Sequence, residues 1–147
     1  MIEKAQGLDA DEVFLDLEDA VAADAKDEAR GNVVTALQEG DWGTRTVAVR
    51  VNDWTTAWTH RDVVDVVTQA GARVDSVVLS KADSAHHVAA LDLLLTQAEK
   101  TAGLDVGRIG IEVQIESARA LLDIDAIASA SPRIEALVFG PADFMAS

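Results

Sequence analysis

The sequence predicts an α/β fold in which about five strands alternate with helices in one parallel sheet. Short apolar runs rich in valine and isoleucine begin about 25 to 35 residues apart, the repeat of a βα unit. Amphipathic stretches of helical period separate them. Charged residues follow every run, and the carboxyl ends of parallel strands meet on one face. Together these observations predict a single acidic pocket with a cationic anchor, which is typical of an enzyme site.

The five predicted strands are short and bounded by polar or glycine-containing turns. They cover residues 12–17, 46–51, 74–79, 109–115 and 134–139. The polar residues at their ends are, in chain order, Asp16, Glu18 and Asp19; Arg50, Asn52 and Asp53; Lys81 and Asp83; Glu116; and Asp143.

Helices are predicted before the first strand and between the others. The first segment, 1–8, is the tail of a helix, and Asp24 is the predicted N-cap of a helix over 24–37. A short helix over 61–70 follows the second strand. Ser84 is expected to cap a long helix that stops at Gly103, and the last helix runs from Ser117 to about residue 130, before Pro132.

Two architectures accommodate five such units: an open doubly wound sheet, and five-eighths of a (β/α)8 barrel, which typically needs about 250 residues. A nucleotide-binding doubly wound sheet has a glycine-rich turn after its first strand. Here residues 16–21 read Asp-Leu-Glu-Asp-Ala-Val, an acidic turn without glycine. We therefore predict a member of the TIM (β/α)8 barrel family, present as an incomplete barrel of about five βα units.

Composition excludes several classes of function. The net charge is −14, from 12 Lys plus Arg against 26 Asp plus Glu, which argues against nucleic-acid and anionic-membrane partners. No apolar run reaches the roughly 18 residues of a membrane span, and the N-terminal residues lack a signal-peptide pattern. With no cysteine, any metal must be held by oxygen or imidazole ligands. A cytoplasmic location is expected.

Glu116 and Asp143 are the candidate metal ligands. They follow consecutive strands, and adjacent strands lie about 4.8 Å apart, so both carboxylates can reach one small cation. Mg²⁺ prefers one or two protein carboxylates and completes its octahedron with water and substrate oxygens. The alternative is that Glu116 acts at the start of its own helix beside Ser117, and that Asp143 forms a turn after Pro141.

Arg50 is the candidate cationic anchor. Its guanidinium follows an apolar run at a strand end that faces acidic groups, and a guanidinium suits a carboxylate or a polarised carbonyl. A buried ion pair with Asp16 or Glu18 explains Arg50 as well, and both roles can hold at once. Glu18 and Asp19 are expected to orient Arg50 or metal-bound water.

The remaining polar residues carry weaker expectations. Lys81 is expected to pair with the carboxylates after the first strand rather than to form a Schiff base. His60, His86 and His87 are expected to be exposed to solvent. The tryptophan-containing loop 52–59 is expected to fill space beneath loops, or to wall the pocket.

Four segments together resemble one known family. They are residues 14–21 (followed by Lys26 and Arg30), Val-Arg-Val-Asn at 49–52, Gln-Ile-Glu-Ser at 114–117 and Phe-Gly-Pro-Ala-Asp-Phe at 139–144. In order and spacing they are similar to the citrate lyase beta-subunit and malyl-CoA lyase family of HpcH/HpaI aldolase-like CoA-ester lyases. The resemblance extends over essentially all 147 residues.

The resemblance implies a TIM-barrel enzyme that uses Mg²⁺ to cleave or form a carbon–carbon bond beside a CoA thioester. The substrate would be a thioester of a hydroxy dicarboxylic acid, of the malyl-CoA, citramalyl-CoA or citryl type, and the products an oxo acid and an acyl-CoA. By resemblance, Glu116 and Asp143 bind the metal, and Arg50 and Glu116 bind substrate. Arg50, Glu18 and Asp19 take part in catalysis.

The chain departs from the family in two ways. Ser80-Lys81 stands where Pro-Lys is common, and the family's chains are about twice as long. The resemblance therefore implies a partial barrel domain over 1–147, lacking the first strand, the C-terminal strands and the lid that carries an acidic proton donor. Weak or absent turnover and assembly into a homo-oligomer are expected. The alternatives are a metal-dependent pyruvate or oxo-acid aldolase, and a non-catalytic assembly or ligand-binding module.

Overall fold

The computed structural model describes residues 2–146 and contains one five-stranded parallel sheet. The strands are β1 (Glu12–Asp16), β2 (Thr46–Val51), β3 (Ser76–Leu79), β4 (Gly110–Ile115) and β5 (Ile134–Phe139). Their order in the sheet is the order in the chain, and every neighbouring pair is parallel. The sheet is open, with β1 and β5 at its edges. All five predicted strands are present, with bounds that differ by at most two residues.

Within residues 2–146, seven α-helices connect or flank these strands. They are α1 (Ile2–Ala5), α2 (Lys26–Glu39), α3 (Thr59–Ala70), α4 (Ala85–Ala102), α5 (Ala118–Leu122), α6 (Ile124–Ala128) and α7 (Pro141–Phe144). Met1, part of the predicted first helix, lies outside the described residues. The prediction that Asp24 caps α2 is wrong, because Asp24 lies in a 3₁₀ turn and Ala25 takes the N-cap position. The predicted helix after Ser117 is divided in two at Asp123.

The helices pack on one face of the sheet. Strand residues alternate between faces, and those that join the buried core with α3 and α4 come from one face, such as Val49, Val113 and Ile115. On the other face, Phe14 is 54% exposed at the edge strand β1. A sheet with helices on one side and sequential parallel strands is the wall of a barrel, not a doubly wound sheet.

A buried ion-pair network lies at the amino ends of β4 and β5. Arg133 donates to both carboxylate oxygens of Glu99, at 2.9 and 2.7 Å, and to Asp92 at 2.6 Å. Glu99 also accepts the backbone N–H groups of Ile109 and Gly107. Burial alone would raise the pKa of Glu99, but these hydrogen bonds outweigh it and lower the pKa. The network anchors α4 to the start of two strands.

A second buried network supports the opposite end of the sheet. The ammonium of Lys26 donates to the carbonyls of Leu17 and Glu18, both at 2.7 Å. The side-chain amide of Asn52 also donates to the Leu17 carbonyl, and to Asp62 at 2.7 Å. Three hydrogen bonds from two side chains therefore fix the path of the chain after β1. Within residues 2–146, no helix has the length and apolar character to cross a bilayer.

Candidate active site

The polar residues that follow the strands converge at one end of the sheet. Lys81 follows β3, Glu116 follows β4 and Asp143 lies in α7 after β5; all three line a cavity of about 350 Å³. The loop after β2 contributes Asp53 and Thr55 to the wall. Parallel register produces this convergence, because it brings all the carboxyl ends of the strands to the same edge.

Glu116 is buried, and its two carboxylate oxygens have different environments. Oε2 accepts the backbone N–H of Lys81 at 2.9 Å, whereas Oε1 takes no hydrogen bond from any residue in 2–146. A Cβ at position 140 would lie 2.5 Å from Cγ and Oε1 of Glu116, so only glycine leaves room for this carboxylate. Burial raises the pKa of Glu116, and the nearby charge of Asp143 raises it as well.

The pair of carboxylates fits a divalent cation. Glu116 and Asp143 share a cavity and repel one another, and a cation between them would relieve that repulsion while using the unpaired oxygen of Glu116. Among the described residues, no group of three or more Asp, Glu or His side chains is placed to hold one metal. Two protein carboxylates with the remaining positions open suit Mg²⁺ rather than a fully enclosed ion.

Lys81 connects two strand ends. Its φ of 48° lies in the left-handed region, which L-residues rarely adopt. In this conformation the backbone N–H of Lys81 donates to the carboxylate of Glu116. Its ammonium forms ion pairs with Glu18 and, at 3.2 Å, with Asp19. Burial lowers the pKa of Lys81, but its bonds to these two carboxylates dominate and raise it, so the amine stays protonated. The expected pairing of Lys81 is present.

Arg50 lies beside this cavity but is not part of its lining. Two of its nitrogens donate to Asp16, at 2.8 and 2.6 Å, and a third lies 3.5 Å from Glu18. Its guanidinium also lies over the ring of Phe14, 5.5 Å from the centroid. The ion pair with Asp16 considered from the sequence is therefore present. Within residues 2–146, Nη1 of Arg50 forms the 3.5 Å ion pair with Glu18 but no hydrogen bond, so its N–H groups can still donate to another ligand.

Sequence reasoning missed His87, which lies in the first turn of α4, as part of the cavity wall. His87 was expected to be exposed, but it is half-buried and lines the cavity, whereas His60 and His86 are exposed as predicted. Asp83 and Ser117 line the same cavity and are joined by a 2.5 Å hydrogen bond. The signal was available: His87 lies three residues after Ser84, in the first turn of a helix that starts at the strand ends.

The tryptophan-containing loop borders the same region. The indole N–H of Trp54 donates to the backbone carbonyl of His87 at 3.0 Å, so the loop after β2 is attached to the start of α4. The Trp58 ring lies 5.4 Å from the ammonium of Lys26, below the chain that follows β1. Trp54 thus secures the wall of the cavity, and Trp58 packs beneath a loop.

Comparisons with known proteins relate this architecture to a group of lyases. A sequence model described as HpcH/HpaI aldolase/citrate lyase matches residues 1–147. The chain is 43% identical to L-malyl-CoA/beta-methylmalyl-CoA lyase from Cereibacter sphaeroides over 147 residues, which are 100% of this chain and 46% of that protein. It is 35% identical to citrate lyase subunit beta from Leuconostoc mesenteroides over 144 residues, 98% of this chain and 47% of that protein. The chain spans about half the length of these curated relatives.

A solved structure extends the likeness to three dimensions. The pyruvate/acetyl-CoA ternary complex of Haloferax volcanii malate synthase matches with a TM-score of 0.86 and 25% identity, covering 98% of this chain and 44% of that chain. Together with the sequential parallel strands, this match confirms the predicted α/β class and the TIM-barrel family, with the sheet open rather than closed.

Proposed function

The chain belongs to the HpcH/HpaI aldolase/citrate lyase family, and from this premise we propose that it carries the metal- and acid-binding part of a carbon–carbon lyase. The family resemblance predicted from four sequence segments is confirmed. The proposed reaction is Mg²⁺-dependent cleavage of a CoA thioester of a hydroxy dicarboxylic acid, of the malyl-CoA, citramalyl-CoA or citryl type. Its products are an oxo acid and an acyl-CoA.

One structural observation carries the proposal: two carboxylates from consecutive strand ends, Glu116 and Asp143, line a single cavity and Glu116 keeps an unpaired oxygen. The names of the relatives support the substrate class, since they are lyases of malyl-CoA and its methyl homologue, or a citrate lyase subunit. The structural neighbour supports the pairing of ligands, because that malate synthase is a ternary complex with pyruvate and acetyl-CoA.

The side chains of this chain have distinct parts in the proposed reaction. Glu116 and Asp143 would hold a Mg²⁺ ion, which when bound would supply Lewis-acid polarisation of the oxo-acid carbonyl. Arg50, fixed by Asp16, offers its remaining nitrogen to the thioester oxygen, where negative charge develops. Glu18 and Asp19 act indirectly. They hold the ammonium of Lys81, and the backbone N–H of the same residue orients Glu116.

Loss of the negative charge at Glu116 or Asp143 is expected to weaken the binding of Mg²⁺, and with it the binding of an oxo acid. Glu116→Gln and Asp143→Asn keep the side-chain shape but remove a negative charge, and we expect each to weaken Mg²⁺ affinity by about 100-fold or more. Isothermal titration of the 147-residue chain with Mg²⁺ and then pyruvate or oxalate measures this.

The matched control is Asp105→Asn, an exposed aspartate at the opposite end of the sheet. Asp105→Asn removes one negative charge, as the two site variants do, so it measures how much the change in net charge alone affects Mg²⁺ affinity. Unchanged binding in both Glu116→Gln and Asp143→Asn would overturn the metal site and favour a ligand-binding module without this chemistry.

Gly140→Ala is expected to weaken Mg²⁺ affinity by about 10-fold or more, because the added Cβ would displace the Glu116 carboxylate from its place. Calorimetric titration with Mg²⁺ measures the change. Gly31→Ala is the control: it lies on α2 with no neighbour within 4 Å of an added Cβ, so it should leave Mg²⁺ affinity unaltered. Equal Mg²⁺ affinity in the two alanine variants would contradict the claim that Gly140 makes room for a metal ligand.

The alternative within the enzyme class is an aldolase that acts on pyruvate or another oxo acid without CoA. Dependence on a thioester separates the two, because the proposed lyase requires acetyl-CoA for the reverse condensation and an aldolase does not. Assembly into a homo-oligomer and a cytoplasmic location stay predictions.

A further inference from the structure

The cavity that contains Glu116 has few free hydrogen-bond donors. The hydroxyls of Thr55 and Ser117 each donate to a neighbouring aspartate in the wall. The ammonium of Lys81 is directed to the two carboxylates after β1. A ligand with oxygen acceptors therefore finds most donors of this wall already in use.

His87 is different. Its Nδ1 accepts the backbone N–H of Asp83 at 3.3 Å, and this hydrogen bond assigns the proton of the neutral ring to Nε2. Within residues 2–146, Nε2 has no hydrogen-bond partner, and the ring lines the cavity shared by Glu116 and Asp143. His87 thus supplies an N–H donor that the protein itself does not use.

A purely structural role explains only half of this ring. His87 occupies the third position of α4 after Ser84, where a capping-box side chain accepts the backbone N–H of the N-cap residue. Nδ1 instead accepts the N–H of Asp83, one residue before the N-cap, which is a related structural role. The cap needs one acceptor, so it gives no reason for the second nitrogen to be a donor at the cavity.

We propose that Nε2–H of His87 donates a hydrogen bond to an acyl oxygen of the bound substrate, which makes His87 a substrate-binding residue. This inference rests on the proposed function. It adds a contact from α4 to a site otherwise built from strand ends and their loops. The oxygen is either a carboxylate oxygen of the oxo acid or the carbonyl oxygen of the thioester.

The charge of the wall is consistent with such a contact only when a cation is also bound. Asp53, Asp83, Glu116 and Asp143 all line the cavity, so an anionic ligand alone would be repelled. A divalent ion reverses the local potential, and a neutral N–H donor can then bind an oxygen without adding a charge.

Imidazole nitrogen spectra test the contact directly. The chain has three histidines, and His86→Gln and His87→Gln assign the two adjacent ones in ¹⁵N-labelled protein. With Mg²⁺ present, we expect the Nε2 resonance of His87 to shift on addition of oxalate, an unreactive mimic of an oxo acid, or of acetyl-CoA. The ligand that moves it identifies which oxygen is bound. The resonances of His60 and His86 should stay in place.

A matched pair of uncharged variants tests the donor. His87→Met removes Nε2–H without adding a charge to the acidic wall, and His86→Met makes the same change on the exposed neighbour. We expect His87→Met to weaken the affinity for oxalate or acetyl-CoA by about 10-fold or more and His86→Met to leave it unchanged. Thermal unfolding of both variants measures separately what loss of the Asp83 hydrogen bond costs in stability.

The outcomes distinguish this inference from the proposed function. If the unmodified chain binds Mg²⁺ and oxalate but the His87 resonance does not move with either ligand, the contact is refuted and the metal site stands. If His87→Met and His86→Met bind ligand equally, the contact is refuted as well. If the unmodified chain binds neither Mg²⁺ nor oxalate, both the proposed function and the contact are refuted.

Discussion

Replacing Arg133 with methionine is expected to lower the free energy of unfolding by about 4 kcal/mol. The side chain of Arg133 is 4% exposed and that of Glu99 is fully buried, so the variant leaves a carboxylate without its cation in the protein interior. Methionine fills much of the volume, and the loss therefore reports the charge rather than a cavity. Chemical denaturation followed by circular dichroism measures it.

Two further variants test whether the loss of stability in Arg133→Met comes from the ion pair with Glu99. Arg73→Met, at an exposed arginine whose side chain makes no ion pair within residues 2–146, should change the stability by less than about 0.5 kcal/mol. Adding Glu99→Gln to Arg133→Met should recover part of the loss, because the amide oxygen still accepts a backbone N–H while the buried charge is gone. A cost below about 1 kcal/mol for Arg133→Met would mean that the network contributes little.

Asp62→Asn is expected to cost about 3 kcal/mol. The carboxylate is almost fully buried and accepts from the guanidinium of Arg30 at 2.9 Å and from the backbone and side-chain amides of Asn52. Asparagine has the same shape but replaces one acceptor oxygen by an NH₂ group, so two donors must face each other wherever the amide is turned. Urea denaturation measures the loss.

The control for this prediction is one turn further along α3. Asp65 also approaches Arg30, at 3.6 Å, but its side chain is 41% exposed, so Asp65→Asn should cost less than about 1 kcal/mol. Because Asn52 helps to hold the carbonyl of Leu17, Asp62→Asn should also loosen the chain that carries Glu18. Similar stability of the two asparagine variants would contradict the importance of burial here.

The positions of the five strands could be predicted from local sequence. Runs such as 46–51 and 134–139 are short, β-branched and bounded by turn residues, so neither could form a long helix. The convergence of Glu116 and Asp143 follows from parallel register once the strands are known, because side chains at strand ends meet at one edge. Helix ends were less predictable: Asp24 has the composition of a cap but lies in a 3₁₀ turn before α2.

The contacts that the sequence does not reveal are those between elements distant along the chain. The Arg133–Glu99 pair joins residues 34 positions apart, and nothing in the local pattern distinguishes either from an exposed charge on a helix or loop. His87 was expected in solvent because two adjacent helical residues face different directions. Which of the two faces the strand ends depends on how α4 packs, and only the assembled structure determines that.

The sequential order of the strands has a consequence for how the chain acquires its structure. Each strand hydrogen-bonds only to strands that are its immediate predecessor or successor in the chain. A nascent polypeptide leaving the ribosome can therefore dock each new βα unit onto the last one without waiting for a distant segment to be synthesised. Pausing of translation between units should be tolerated, since each newly made strand from β2 onward already has its predecessor to pair with.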